Sequence, residues 1–161
     1  MSLSVWGAMH QGQALPVGAL PVLPFETFRE DVITAVRQGR RLSAFFGMRI
    51  SPDRVRLLAL LTDDAHSLLL AAVADVSHSF PSLTPDCPQA HLFEREIAEQ
   101  TGLLPLDHPW LRPVRFSQPD FPGTEALRGK VPPVGDMDFF QVAGDEVHEV
   151  AVGPVHAGII E

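Results

Sequence analysis

Cys87 and His91 form the residue pair whose types could most directly perform chemistry. They lie four positions apart at the start of a predicted helix, where the helix dipole favours a thiolate. A thiolate beside an imidazole can act as a nucleophile with its base, or as half of a metal site. The alternative is a small capping cysteine next to a histidine on the helix face. Because two ligands are too few for a closed zinc site and no motif surrounds the pair, the structural alternative is favoured.

Two carboxylates, Glu94 and Glu96, follow on the same predicted helix. Residues two positions apart on a helix do not face each other, so the pair does not predict a general acid–base dyad. One alternative is a solvated helix face that also carries Arg95 and Glu99. We favour another, in which Glu94 and Glu96 are interface charges whose partners lie on another chain.

A rigid string runs from His108 to Pro113 and carries an imidazole, an indole and a guanidinium. Pro109 and Pro113 restrict its backbone to extended conformations. Trp110 and Arg112 belong to the residue types found most often as binding anchors. The string is therefore either a binding surface or a fixed loop in which Trp110 fills the edge of the core.

Length and composition limit the class of protein. The chain has 161 residues, 45% hydrophobic and 20% charged, which is typical of one folded domain or one domain with a short appendage. Its net charge of -8 argues against a nucleic-acid-binding surface, which must neutralise phosphates. A single cysteine excludes an internal disulfide framework, a four-cysteine zinc or iron–sulfur site and the four thiolates of a nickel–iron centre. No apolar run reaches membrane-spanning length, so we expect a soluble chain, and residue spacing indicates no cofactor site.

Charge and turn residues divide the chain. Residues 1–93 hold seven bases and eight acids, whereas residues 94–161 hold five bases and twelve acids. Prolines and glycines cluster within 117–135, where neither a helix nor a central strand can persist. We therefore predict a module at 1–116, a linker at 117–135 and a separate segment at 136–161.

Hydrophobic periodicity predicts the elements of the module and a hairpin beyond the linker. The helices are predicted at 26–38 and 88–101, the strands at 41–48, 55–61 and 67–76, and the hairpin strands at 139–142 and 147–152. Alternation along the first strand predicts one face made of Leu42, Ala44, Phe46 and Met48.

Each predicted helix has one apolar stripe and a glycine, Gly39 or Gly102, at its end. The stripes are Phe28, Val32, Ala35 and Val36 on the first helix, and Ala90, Phe93, Ile97 and Ala98 on the second. Short turns between the strands predict antiparallel neighbours. The predicted fold class is α+β, an antiparallel sheet with helices packed on it plus a C-terminal hairpin.

Four motifs then occur in a recognisable order. They are Ser79-Phe80-Pro81-Ser82-Leu83-Thr84, Phe93-Glu94-Arg95-Glu96-Ile97, Gly102-Leu103 and His108-Pro109-x-x-Arg112. The series resembles the thirty-kilodalton subunit of respiratory complex I. It is also similar to the N-terminal region of the large subunit of formate hydrogenlyase and related membrane-bound nickel–iron hydrogenases, where that region is fused ahead of the catalytic domain.

The end of the chain resembles the opening of such a large subunit. The matching residues lie within 150–161, and the motif positions are Gly153, Pro154, His156 and Gly158. Because the nickel-binding cysteines of that subunit would lie further on, the resemblance implies that 136–161 is the start of a truncated large-subunit domain.

The resemblance implies a docking role rather than chemistry. The family's module binds no cofactor and braces the large subunit within an electron-transfer arm. Its implied partner interface consists of Glu94, Arg95, Glu96, His108, Pro109, Trp110 and Arg112. The implied partners are the downstream large-subunit domain and neighbouring iron–sulfur subunits, and the parent complex would hold nickel–iron or quinone. The chain would be cytoplasmic, peripheral to the inner face of the cell membrane and attached only through partner subunits.

Two other functions stay open on the residues alone. The chain could be a stand-alone protein-binding module, which shares every feature except the fusion. It could also be a small enzyme that uses Cys87 with His91 or His78, which would require these groups to lie within hydrogen-bond reach in a pocket.

Overall fold

A computed structural model of the chain describes residues 5–115 and Gly144 in full, and 155–156 and 159–160 as backbone. The predicted linker at 117–135, the predicted hairpin strands at 139–142 and 147–152, and the motif residues Gly153, Pro154 and Gly158 lie outside the described residues.

One four-stranded antiparallel sheet organises the described part of the chain. Its strands are β1 (Gly7–His10), β2 (Arg41–Ser51), β3 (Arg54–Asp63) and β4 (Leu68–Val76), in the order β1-β4-β3-β2. Leu57 lies opposite Ala74 and Gly47, so β3 is paired on both sides. Most residues on both faces of β3 are buried or partly buried, and the strand is accordingly a nearly continuous apolar run.

Two helices cover one face of this sheet. They are α1 (Phe25–Arg37) and α2 (His91–Thr101), the latter preceded by a short 3₁₀ turn at Pro88–Ala90. Gly102 ends α2 in the left-handed conformation at φ 75°, which a residue without a side chain adopts at little cost. The remaining elements are a 3₁₀ turn at Val17–Ala19, the parallel pair β5 (Ser79–Pro81) and β6 (Leu104–Leu106), and the antiparallel pair β7 (Val155–His156) and β8 (Ile159–Ile160).

The main core lies between the sheet and the helices. Phe28 and Val32 of α1 are fully buried, and Phe28 packs against Phe45 with ring centroids 6.0 Å apart. Ile97 of α2 approaches the sheet at Gly47, where a Cβ would lie 3.5 Å from the Ile97 side chain and 3.0 Å from that of Val55. The glycine therefore permits the close approach of α2 to β2.

The outer face of the sheet has a smaller apolar cluster. Leu20 folds over Ala71 and Val73, while Phe46 and Ile50 of β2 stay exposed. No helix in residues 5–115 is long and apolar enough to cross a membrane.

The predicted fold class is confirmed. The two helices and three strands occur where periodicity placed them, within about three residues at each end. Burial of Phe28, Val32 and Ala35 confirms the first helical stripe. Ala90, Ile97 and Ala98 are likewise buried, and Phe93 is partly buried.

The predicted face of the first strand is wrong beyond Leu42. A β-bulge between Leu42 and Ala44 inserts one residue and reverses the alternation that follows. Phe45 therefore enters the core at 1% exposure, and Phe46 points to the outer face at 41%.

The N-terminal strand β1 is a second difference, because no strand was predicted before residue 41. Trp6, which precedes β1, stacks on Phe28 at 5.9 Å and donates its indole N–H to the buried carboxylate of Asp31 at 3.0 Å. A contact between residues 25 positions apart leaves no local periodicity to predict it.

Replacement of the two neighbouring phenylalanines tests the bulge. We expect Phe45→Ala to lower the free energy of unfolding by about 3–5 kcal/mol, because it empties a core position. Phe46→Ala should lower it by about 1 kcal/mol or less, because the ring is already largely exposed. Urea denaturation of both variants measures the difference, and a larger loss for Phe46→Ala would contradict the assigned phase of β2.

Candidate functional site

Helix α2 carries buried charges on the side that faces the irregular segments around it. Glu94 is 0% exposed and Arg95 is 8% exposed, although both occupy a helix with few apolar residues. Charged side chains are almost never this buried unless they are paired. The partners of these two side chains therefore show which segments of the chain α2 fixes.

Glu94 binds the segment that precedes the helix. Its Oε1 accepts the backbone N–H of Leu83 at 2.6 Å, and its Oε2 accepts the Ser82 hydroxyl at 2.6 Å. The hydroxyl and the backbone N–H of Thr84 also donate to Oε2. All four partners are donors, the pattern that suits an ionised, acceptor-only carboxylate.

The position of Glu94 differs from that of an interface charge. The carboxylate is fully buried, and its hydrogen bonds go to residues 82–84 of its own chain. Removal of a carboxylate from water is unfavourable and is offset only when its lone pairs are satisfied. Glu94 therefore fixes the local fold, and its place in a partner interface stays a prediction.

Arg95 and Glu99 bind the segment that follows the helix. Arg95 donates to the carbonyl of Arg112 at 2.7 Å and to that of Pro113 at 2.8 Å. Glu99 accepts the backbone N–H groups of Val114 at 2.7 Å and Arg115 at 3.0 Å. Successive turns of α2 thus fix the backbone that leads away from the string.

His108 is the buried support of the string. Its Nε2 lies 3.2 Å from the carbonyl of His91, and its Nδ1 accepts the backbone N–H of Trp110 at 3.1 Å. A carbonyl partner on one nitrogen and an N–H partner on the other select the neutral imidazole with the proton on Nε2. Burial lowers the pKa of His108 below its ordinary value of 6.5, although Glu94 lies 4.0 Å away and opposes the shift.

Trp110 presents the exposed surface of this arrangement. Its ring stacks on His91 with centroids 6.0 Å apart and an interplanar angle of 4°. The guanidinium carbons of Arg95 and Arg112 lie 4.8 Å and 5.4 Å from the ring centroid, which are cation–π distances. Half of the side chain (51%) nevertheless remains exposed, so the ring does not fill the core edge.

Of the other predicted interface residues, Pro109 and Arg112 flank Trp110 in the string, and Glu96 lies on α2. Pro109 and Arg112 are exposed, and Glu96 is half-buried and paired with Arg115 at 2.9 Å. We name the exposed set Pro109, Trp110 and Arg112, with Leu92 and Leu111, the tryptophan surface. Whether another protein occupies it stays a prediction.

Cys87 is not placed as a nucleophile. Its side chain is fully buried, and burial raises the pKa of its thiol above the ordinary value. Within residues 5–115 no hydrogen bond joins it to His91 or His78. Because the nucleophile is the thiolate, burial leaves Cys87 as a small apolar core residue.

A cleft of about 270 Å³ lies at the other end of α2. Its lining includes Arg49, Asp53 and His78, and Arg49 donates to the carbonyls of Pro52 and Thr101. No group of three or more histidine, cysteine, aspartate or glutamate side chains in the described ranges could hold a metal ion.

Sequence reasoning missed the roles of Ser82, Thr84 and Glu99. Ser82 and Thr84 belong to the first family motif, but the motif does not indicate what their side chains bind, and Glu99 looks like one more charge on a solvated face. A further signal was the excess of charge on a helix that also carries a core stripe. That pattern cannot indicate which carboxylate turns inward.

The chain was compared with known proteins. A family model described as "Respiratory-chain NADH dehydrogenase, 30 Kd subunit" matches residues 28–136, about two thirds of the chain. The matched region contains most of α1, the sheet strands β2–β4, α2 and the tryptophan surface. No curated protein matches the sequence.

Two isosteric changes on α2 test the role assigned to Glu94. In Glu94→Gln the amide N–H₂ must face a donor in either orientation, so we expect a loss of about 3 kcal/mol in the free energy of unfolding. The control Glu96→Gln removes a partly exposed ion pair with Arg115 and should change the free energy of unfolding by less than about 1 kcal/mol. Equal effects in chemical denaturation would show that Glu94 does not fix the fold.

The pH dependence of stability tests the buried imidazole. Because the pKa of His108 is lowered in the folded state, its contribution is complete above about pH 6.5. As the pH falls below that value, His108 is protonated in the unfolded chain but not in the folded chain. The free energy of unfolding therefore declines until the pH reaches the lower pKa that His108 has in the folded state. The decline should be shallower in His108→Gln, measured by urea unfolding between pH 7.5 and 5. An NMR titration that gives His108 a pKa above 6.5 would refute the assignment.

Proposed function

Because this chain belongs to the family of the 30 Kd subunit of respiratory-chain NADH dehydrogenase, we propose that it is a non-catalytic docking region of a membrane-associated oxidoreductase of the respiratory or hydrogenase type. Members of this family are subunits of a multi-subunit oxidoreductase, so partner subunits come with the family. The finer role is to brace the electron-transfer arm.

The tryptophan surface is the observation that carries this proposal. A half-exposed indole is held by His91 and Arg95 below it and by a backbone hydrogen bond to the buried His108. A rigid aromatic group loses little conformational entropy on binding, which is why such residues dominate interface energetics. The exposed half of the indole contributes no burial to the free energy of folding, so its fixed position is better explained by a binding role.

The proposed partners are the large subunit and the neighbouring iron–sulfur subunits. Nickel–iron or quinone would be held by the large subunit and the clusters by the others, with no cofactor in this chain. The proposed location is cytoplasmic and peripheral to the inner face of the membrane, with contact through those subunits only.

We further propose that the chain is fused to its large subunit, on the resemblance within 150–161. The coding sequence beyond Glu161 tests this. Two cysteine pairs further on would indicate a hydrogenase-type large subunit such as that of formate hydrogenlyase, and a continuation without them a relative without nickel. A stop codon would refute the fusion and leave a stand-alone docking module.

The structure supports the two alternative functions, a stand-alone binding module and a small enzyme, to different degrees. A stand-alone protein-binding module would use the same tryptophan surface and differs only in lacking the fusion. An enzyme based on Cys87 has no support, because its thiol is buried and its pKa is raised.

Assembly of the complex tests the docking role. We expect an affinity-tagged copy of the full protein, expressed in its own host, to co-purify with separate iron–sulfur subunits that mass spectrometry identifies as parts of one oxidoreductase. Trp110→Ala should reduce their recovery about tenfold or more, because loss of a central aromatic anchor costs about 1.4 kcal/mol or more of binding free energy.

Phe46→Ala is the matched control. It also removes an exposed aromatic ring, but on the outer face of the sheet, and recovery should stay near that of the native chain. Equal recovery with Trp110→Ala and the native chain would refute docking through this surface.

A further inference from the structure

We propose that the tryptophan surface recognises an acidic segment of the partner protein, in which a carboxylate lies next to an apolar side chain. This inference rests on the proposed docking function and adds the chemistry of the partner. The occupant is a protein segment, bound by one guanidinium and one indole that act together.

Arg112 supplies the charge. Its residue is exposed, and the ion pairs found within residues 5–115 engage other arginines. The other arginine of the segment, Arg115, is already paired with Glu96 at 2.9 Å. An exposed guanidinium presents a planar fork of donors that fits a carboxylate bidentately.

Trp110 supplies the apolar part. Its ring holds Arg112 at 5.4 Å, so the guanidinium is already oriented beside the exposed half of the indole before any partner arrives. The neighbouring Leu92 and Leu111 are 56% and 37% exposed. An apolar side chain on the indole would exclude water from the adjacent charge pair and strengthen it.

A second cation makes the site favour anions more strongly. Arg95 lies 4.8 Å from the same ring; burial lowers the pKa of Arg95, the Glu99 carboxylate opposes this, and repulsion by Arg112 is a smaller contribution that lowers it further. Two guanidiniums around one indole form a locally positive corner on a chain whose net charge is -8. An acidic partner segment is therefore attracted here and repelled by the chain as a whole, which fixes its orientation.

An anionic membrane is the competing class of partner, since tryptophan and arginine also occur at membrane surfaces. A membrane surface attracts clusters of basic residues, each of which adds to the binding free energy. Here the tryptophan surface contains a single arginine, Arg112, and the chain carries twenty acids against twelve bases. The balance of charge favours a protein segment.

A peptide library measures the preference without assuming a sequence. Random twelve-residue peptides displayed on phage are selected on the full chain, on Arg112→Gln, on Trp110→Ala and on the control Arg115→Gln. We expect selection on the native chain and on Arg115→Gln to enrich aspartate or glutamate next to an aromatic or aliphatic residue. Enrichment should disappear on Arg112→Gln and on Trp110→Ala, and selected peptides should bind these variants at least fivefold more weakly.

Two results would overturn the inference. One is enrichment without acidic residues, or enrichment that Arg112→Gln leaves unchanged. The other is Arg112-dependent binding to vesicles that contain phosphatidylglycerol, stronger than binding to any selected peptide, which would make the partner a membrane.

The complex separates this inference from the docking function itself. Recovery that falls with Trp110→Ala but not with Arg112→Gln would preserve docking and refute the acidic partner. Recovery that falls with neither would refute docking. Recovery that falls with both, and is unchanged in Arg115→Gln, supports the two proposals together.

Discussion

The buried carboxylate of Glu94 is the constraint on which the arrangement around α2 depends. Four donors from Ser82, Leu83 and Thr84 surround it, so the segment before the helix must take one conformation. Arg29 of α1 donates to the carbonyl of Ser82 at 3.1 Å and thereby ties the other helix to the same segment. A carboxylate buried without these partners would destabilise the fold. The loss of even some of the donors would therefore be costly.

A series of short polar contacts connects the buried Glu94 to the exposed tryptophan surface and fixes its conformation. Glu94 lies 4.0 Å from His108, His108 fixes the backbone of Trp110, and Arg95 holds the carbonyl of Arg112. The exposed ring is therefore at the end of a series of buried polar groups. Pre-organisation of this kind lowers the entropy that binding must otherwise offset.

Local sequence patterns were sufficient to predict most of the fold. They were insufficient where one inserted residue reverses the alternation of side chains along a strand. The stripe of Phe28, Val32 and Ala35 follows from helical periodicity, because burial on a helix repeats with its turn. The bulge near Leu42 could not be predicted, since the extra residue is accommodated by pairing with β3. The same holds for β1, whose place next to β4 is fixed by contacts distant in sequence.

The sequence by itself determined the fold class, the family motifs and the stiff, tryptophan-bearing string, because these depend on spacing and on the geometry of proline. Only the tertiary structure decided that Glu94 turns inward while Trp110 stays half exposed. A carboxylate on a helix has the same local pattern whether it meets water, a partner chain or a loop of its own chain. What distinguishes these cases is the set of donors brought to it from residues ten to twelve positions away.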